Sequence, residues 1–361
     1  MTKIDVVSGF LGAGKTTLIK KLLKEALDGS KTVLIENEFG EIGIDGGFLK
    51  ESGIEIKEMN SGCICCSLVG DFGTSLKEVI STYAPERILI EPSGVGKLSD
   101  VLKAVENVAG DLDVEINSAV AVVDASKCKM YMKNFGEFFS NQIEYAGTII
   151  LSRTDKVDQA KLNACVEMIR EHNDKATIIT TPLAQLDGKE VLGTIEGADK
   201  LEDMMKEMLE HIHDDHDEDE CCGHDHDHEH HHDHDHEECG CGHDHHHDHD
   251  HEECGCGHDH DHEHHHHHHA DEVFTSWGKE TPHKFTKEKI EDVLKTLCET
   301  DDYGTILRAK GMVEDENGSW IYFDMVPGEY ELRDGEPDYT GRLCVIGCNI
   351  DEHRLEELFG I

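Results

Sequence analysis

In the stretch EMNSGCICCSLVGDFG three cysteines fall within four positions, Cys63, Cys65 and Cys66. Clustered thiolates are soft ligands that favour Zn²⁺ and related transition ions, and a C-x-C spacing can aim two sulfurs at one ion. The triplet offers two or three ligands, and the rest of a tetrahedron would come from a carboxylate, a histidine, water or a client protein. A second chemistry lies upstream. GFLGAGKTT, Gly9 to Thr17, reads G-x-x-x-x-G-K-[ST] in full, between an apolar run and an amphipathic one. Glycines there let backbone N–H groups turn inward around phosphate oxygens, and the helix N-terminus adds positive potential. Lys15 is expected to reach the β and γ phosphates and Thr16 to hold Mg²⁺. Gly9, Gly12, Ala13, Gly14 and Thr17 complete the expected nucleotide-binding loop.

Two further segments belong to the same chemistry. ILIEPSGVG places Glu91 and Gly94 after an apolar run, where a P-loop enzyme senses Mg²⁺ and the γ-phosphate, so Lys15, Thr16 and Glu91 form the expected catalytic set. SRTD supplies Ser152, Arg153 and Asp155 for base contact. A carboxylate at Asp155 can accept from N1–H and the 2-amino group of guanine, donors that adenine does not present, and this favours GTP. The common form of the segment is Asn-Lys-x-Asp, from which Ser152 and Arg153 depart.

The elements that must position these groups are legible as alternating periods. IDVVS, KTVLIE, RILIE, SAVAVVD, GTIILS and ATIIT read as strands, most of them apolar on both faces as buried parallel strands are. Leu18, Ile19, Leu22, Leu23, Ala26 and Leu27 make a helical stripe that stops at Gly29. Such βα alternation predicts a parallel sheet with helices on both faces. Toward the C-terminus, Thr286 opens a helix carrying Ile290, Val293, Leu294 and Leu297. GTILRAKGMV, SWIYFD and RLCVIG follow as strands, and a last helix has Asp351 as its N-cap. The expected fold is α/β: a P-loop NTPase domain with a mainly parallel sheet over residues 1–208, and a small α+β domain over 272–361.

Between them, residues 209–271 form a different object. Residues 211–269 hold 26 of the 29 histidines, 6 of the 14 cysteines, 21 Asp or Glu and no Lys or Arg. EECGCGHDH occurs twice at a fifteen-residue period, from Glu237 and from Glu252. With almost no apolar side chains to offset ordering entropy, the tract is expected to be disordered without metal and to bind several ions.

The formal net charge of −45 argues against nucleic acid and anionic membrane as partners and is compatible with cations. No run approaches a membrane span, and Lys3 leads straight into IDVVSGF without a signal-peptide pattern. The expectation is a cytoplasmic protein with reduced thiols, which turns a cysteine count into a ligand count. Cys128, Cys165, Cys298, Cys344 and Cys348 sit among apolar neighbours and read as packing residues, while His172, His283 and His353 read as surface or cap residues.

GFLGAGKTT, ENEFGE at Glu36 to Glu41, GCICC, EPSG, VVDA at Val122 to Ala125 and NQIEYAGTIILSRTD together resemble the CobW-type metallochaperone GTPases, relatives of the HypB and UreG nickel-insertion GTPases. LRAKG at Leu307 to Gly311 and GRLCVIGCNID from Gly341 resemble that family's smaller domain. The resemblance implies a GTPase whose Cys motif binds a divalent metal near the nucleotide, with Glu36 and Glu41 as neighbours of that metal or of Mg²⁺. It implies GTP and Mg²⁺ as cofactors, Zn²⁺, Co²⁺ or Ni²⁺ as cargo, and a client metalloprotein as partner, with homo-oligomerisation left open. The rival expectation is a metal buffer in which the His-rich tract does the work and the nucleotide domain regulates it.

Overall fold

Seven strands, β1 (Thr2–Gly9), β2 (Thr32–Asn37), β3 (Glu55–Met59), β4 (Arg87–Glu91), β5 (Val114–Asp124), β6 (Thr148–Ser152) and β7 (Thr177–Ile179), form a parallel sheet in the order β3-β2-β4-β1-β5-β6-β7. The computed structural model describes residues 1–37, 55–59, 69–110, 112–197 and 270–361. Glu41, Cys63, Cys65, Cys66 and the His-rich tract lie outside them. The sequence pattern anticipates six of the seven strands. The exception is β3, whose EIKEM carries three charges in five residues and whose place at the sheet edge does not demand a continuous apolar run.

The helices are α1 (Lys15–Glu25), α2 (Val69–Tyr83), α3 (Leu98–Ala109), α4 (Cys128–Asn134), α5 (Gly136–Glu144), α6 (Gln159–His172) and α7 (Gly188–Glu196). On one face of the sheet, Leu18, Ile19 and Leu22 of α1 and Val191 and Ile195 of α7 pack on Val7, Leu34, Leu89, Val120, Val122 and Ile150. Side chains alternate across a strand. Val6, Ile35, Ile88, Ala121 and Ile149 therefore point to the other face, where α3 and α5 lie, and they are as completely buried. At the amino end of the sheet, buried Asp5 accepts from Asn117 Nδ2 and Ser118 Oγ, each at 2.6 Å, and pairs with Arg87, which reaches on to Glu196 of α7.

After α8 (Ala270–Val273), a second, antiparallel sheet is formed by β8 (Thr275–Thr281), β9 (Thr305–Glu314), β10 (Trp320–Val326), β11 (Glu329–Gly335) and β12 (Gly341–Cys348), in the order β11-β10-β9-β12-β8. Helices α9 (Lys287–Glu299) and α10 (Glu352–Phe359) cover one face, burying Ile290, Val293, Leu294, Leu355 and Phe359 against Ala309, Val313, Phe323 and Val345. Their N-caps are as expected: Thr286 accepts from the backbone N–H of Lys289 and Asp351 from that of Arg354, both at 3.1 Å. Lys310 stands opposite Asp324 and Cys344 in register, and Asp324 opposite Glu331. These residues, with Arg308 two positions before Lys310, share the face away from α9 and α10.

Both sheets belong to one compact unit. Phe274, buried at the head of β8, joins a ring cluster with Phe138, Phe135 and Phe10 at centroid distances of 5.0, 5.7 and 6.3 Å. Phe10 belongs to the glycine-rich loop, so the second sheet is anchored on that loop.

Candidate nucleotide site

The loop between β1 and α1 takes the shape its glycines allow. Gly9, Gly12 and Gly14 have φ of +146°, +67° and +104°, in the range that side chains rarely adopt. Gly14 is the N-cap of α1, so the first N–H groups of that helix open onto the loop. Leu18 N–H donates to the Gly14 carbonyl at 3.1 Å, and Ala13 N–H to Phe10 at 3.1 Å, which closes the curve. A Cβ on Gly94 would come within 2.9 Å of the Leu11 nitrogen, so the EPSG segment touches the loop because it carries glycine there.

Lys15 is buried, and its ammonium donates to the Gly9 carbonyl at 2.9 Å. Thr16 Oγ1 donates to the Glu91 carboxylate at 3.1 Å. Glu36, also buried, stands level with Glu91 across the β2–β4 pair. A hydroxyl and two carboxylates at the carboxyl edge of a parallel sheet are hard oxygen donors that suit Mg²⁺, and the cradle of backbone N–H groups suits phosphate. The residues present therefore fit a Mg²⁺-nucleoside phosphate.

On the base side, Ser152 closes β6 and its Cβ stands 3.8 Å from the position of a Cβ on Gly14. Arg153 is a non-glycine residue at φ +55°. Its guanidinium pairs with buried Asp124 at 3.1 Å and with Glu329 of β11 at 2.5 Å, and donates to the Gly12 carbonyl at 3.4 Å. Arg153 thus braces the glycine-rich loop. Asp155 lies in the short 3₁₀ turn Thr154–Lys156 with an exposed carboxylate, outside the cleft lining.

Lys15, Thr16, Thr17, Glu91 and Arg153 line one cleft of about 470 Å³, and residues of the second sheet, Arg308, Val326 and Glu329 among them, form its other wall. A smaller recess gathers Lys15, Thr16, Glu36, Glu91 and Gly94 with Arg308 and Lys310. The structure thus brings together the residues expected for phosphate and Mg²⁺. It adds Asp124, Arg308, Lys310 and Glu329: the first three stand inside VVDA and LRAKG without a site role read for them there, and Glu329 lies in no motif. The signal for Arg308 and Lys310 is present in ILRAKGMV, where two charges two residues apart interrupt an apolar strand.

Among the described residues no group of three or more His, Cys, Asp or Glu side chains is gathered for a metal ion, and no helix is long and apolar enough to cross a membrane. Cys128, Cys165 and Cys344 are buried as packing residues, and Cys298 and Cys348 are half-buried. The Cys128 and Cys165 thiols share a hydrogen bond, which together with burial pushes the Cys128 thiol up. His172 and His353 lie beside Glu144 and Glu357, and His283 meets Phe285 edge-on.

Residues 3–180 match the family model for the CobW/HypB/UreG nucleotide-binding domain, and residues 274–360 match that for the cobalamin synthesis protein cobW C-terminal domain. The chain is 28% identical over 188 residues to the zinc chaperone YeiR of Escherichia coli K12, covering 52% of this chain and 57% of that one. It is 30% identical over 247 residues to the zinc chaperone CobW of a Sinorhizobium species, covering 60% of this chain and 70% of that one. The match thus spans little more than half the length of YeiR. Among solved structures, the Zn(II)-bound YjiA GTPase of E. coli aligns over 99% of this chain and 98% of that one, at 19% identity and a TM-score of 0.42. Two family models in order along one chain, over a P-loop whose geometry fits its motif, place the protein: it belongs to the CobW family of P-loop GTPases.

Proposed function

We propose that this chain is a Mg²⁺-dependent GTPase that binds a divalent transition metal, Zn²⁺ first, at Cys63, Cys65 and Cys66, and couples hydrolysis to its delivery to a client metalloprotein. The names of the relatives support zinc as the cargo. The observation that carries the reading is a juxtaposition on one sheet edge. Thr16 bonds Glu91, Glu91 stands level with Glu36, and β2 pairs in register with β3, with Asn37 opposite Met59. Cys63 follows Met59 by four residues. The polypeptide that leads into the thiols therefore leaves from the edge that carries the Mg²⁺ donors.

Within this reading the loop N–H groups and Lys15 hold the phosphates, Thr16 and Glu91 hold Mg²⁺, Gly94 marks the γ-phosphate, and Asp155 reads guanine. Mg²⁺, when bound, neutralises charge on the β and γ phosphate oxygens. A γ-phosphate that orders the interval between β2 and β4 would change the geometry of its thiolates, and linkage makes the effect reciprocal. The test is a Zn²⁺ and Co²⁺ competition titration with a non-hydrolysable GTP analogue, with GDP and without nucleotide, repeated on the Cys65→Ser, Cys66→Ser double variant. The expected result is tighter metal binding in the GTP state by about 5 to 150-fold, lost in the variant. Equal affinities in the three states would overturn delivery and leave the His-rich tract as a metal buffer.

A further inference from the structure

The two cations that β9 carries on the sheet face toward the glycine-rich loop have no role in the reading above. Arg308 and Lys310 lie two apart on β9, opposite the face that α9 and α10 cover. Arg308 lines the cleft with Gly12, Gly14, Lys15 and Thr16, and both residues line the recess with Glu91 and Gly94. Lys310 is only 3% exposed, so its ammonium sits inside the recess and not in solvent. Arg308 is held from behind: its Nη2 donates to Asp324 Oδ2 on the neighbouring strand at 2.8 Å. A guanidinium is a planar fork of five donors, so an anchor at one nitrogen narrows the orientations open to the group.

We propose that Arg308 is a phosphate-contacting catalytic residue that the second sheet contributes in cis to the nucleotide site, and that Lys310 beside it is a positioning residue that offsets the carboxylates of Asp324 and Glu91 near it. The inference rests on the GTPase reading. In hydrolysis the bond from the water oxygen to the γ-phosphorus forms as the bond from phosphorus to the β–γ bridging oxygen breaks. The electron pair leaves with GDP, and the water proton passes to the released phosphate. Arg308 adds positive charge where negative charge builds, on the bridging and γ oxygens. The same sheet holds Arg153 through Glu329 and abuts Gly12 through Val326, so a contact from Arg308 to the γ-phosphate ties the seating of the sheet to the nucleotide state.

The experiment uses the full chain with Mg²⁺ and measures affinity for a non-hydrolysable GTP analogue against GDP, together with single-turnover hydrolysis. Arg308→Ala is expected to lower the analogue-to-GDP affinity ratio about tenfold and to slow hydrolysis by roughly 10²-fold or more, with Arg308→Lys recovering part of both. Asp324→Asn keeps the arginine but loosens its anchor, so it should lower the ratio and the rate only in part, by clearly less than Arg308→Ala. A ratio unchanged in Arg308→Ala, or losses equal in Arg308→Ala and Asp324→Asn, would overturn the proposal, the second because it marks a purely structural ion pair. Failure of the GTPase reading gives a different result: the unaltered chain would then bind or hydrolyse guanine nucleotide no better than Lys15→Ala does.

Discussion

Lys15 shows how local the legible chemistry is. Its ammonium bends back onto the Gly9 carbonyl within its own loop, so no distant element is needed to aim it. Lys15→Ala is expected to slow GTP hydrolysis by at least about 10²-fold, because charge on the β and γ phosphates loses its neutralising group. The melting temperature should change little, and steady-state turnover with a thermal melt checks both. Asp155 is the matching test on the base side. Asp155→Asn replaces an acceptor by a group that can also donate, so guanine should lose ground to xanthine, which carries an oxygen where guanine has its 2-amino group. Competition between GTP and XTP reads this directly, and an unchanged preference would remove Asp155 from base recognition. Lys15 was legible in sequence because its motif is contiguous, whereas SRTD departs from the common form and its Asp155 stands outside the cleft lining. For Arg308 the charge inside an apolar strand was legible but its place beside the loop was not, and Glu329 gave no signal at all, since both meet the loop only after a second sheet has folded against it.

Among the elements, the paired strands show where pattern suffices and where it fails. Runs such as RILIE and GTIILS are apolar at every position because a central parallel strand is covered on both faces, and they are legible at once. β3, β8 and β11 are not, since EIKEM, TSWGKET and EYELRDG are polar-rich and all three close the edges of their sheets. One charge set inside the core is equally silent in sequence. Arg87, nearly buried, stands between Asp5 of β1 and Glu196 of α7. Burial raises Glu196, but its bonds to Arg87 and Lys3 outweigh that and leave its carboxyl below the usual range. Removing the arginine strands Asp5, so Arg87→Met should destabilise the fold by about 3–5 kcal/mol. Adding Asp5→Asn should recover part of that loss. Denaturant melts of the single and double variants test this, and nucleotide affinity corrected for the folded fraction should hold, because Arg87 opens its strand and the phosphate loop follows the far end of β1.

For the whole molecule, one ion-pair set between the two sheets makes their seating testable. Glu329 bonds Lys156 at 2.6 Å and Arg153 at 2.5 Å, and the Lys156 bond first, then Arg153, holds its carboxyl below the ordinary 4.5 against the opposing effect of burial. A lowered pKa means a contribution fully present above the ordinary value and lost as pH falls through the lowered one. With a side chain 41% exposed, the set should stabilise the seating by no more than about 1 kcal/mol. Glu329→Gln should accordingly lower the melting temperature modestly at pH 7, and the gap to wild type should close as pH drops below 4.5. A gap that persists in acid would show that the carboxylate charge is not what holds the sheet.

The glycine-rich motif leaves its middle positions open, yet in this chain they are spoken for. Phe10 packs among rings that include Phe274, and Gly12 faces Val326, where a Cβ would strike the valine methyl. Two of the loop's positions are thus shaped by residues more than two hundred positions downstream. The two sheets are not interchangeable modules: a chimera that takes its second sheet from a relative must take residue 10 along with it, and the heritable unit of this fold runs across the junction that a domain map would cut.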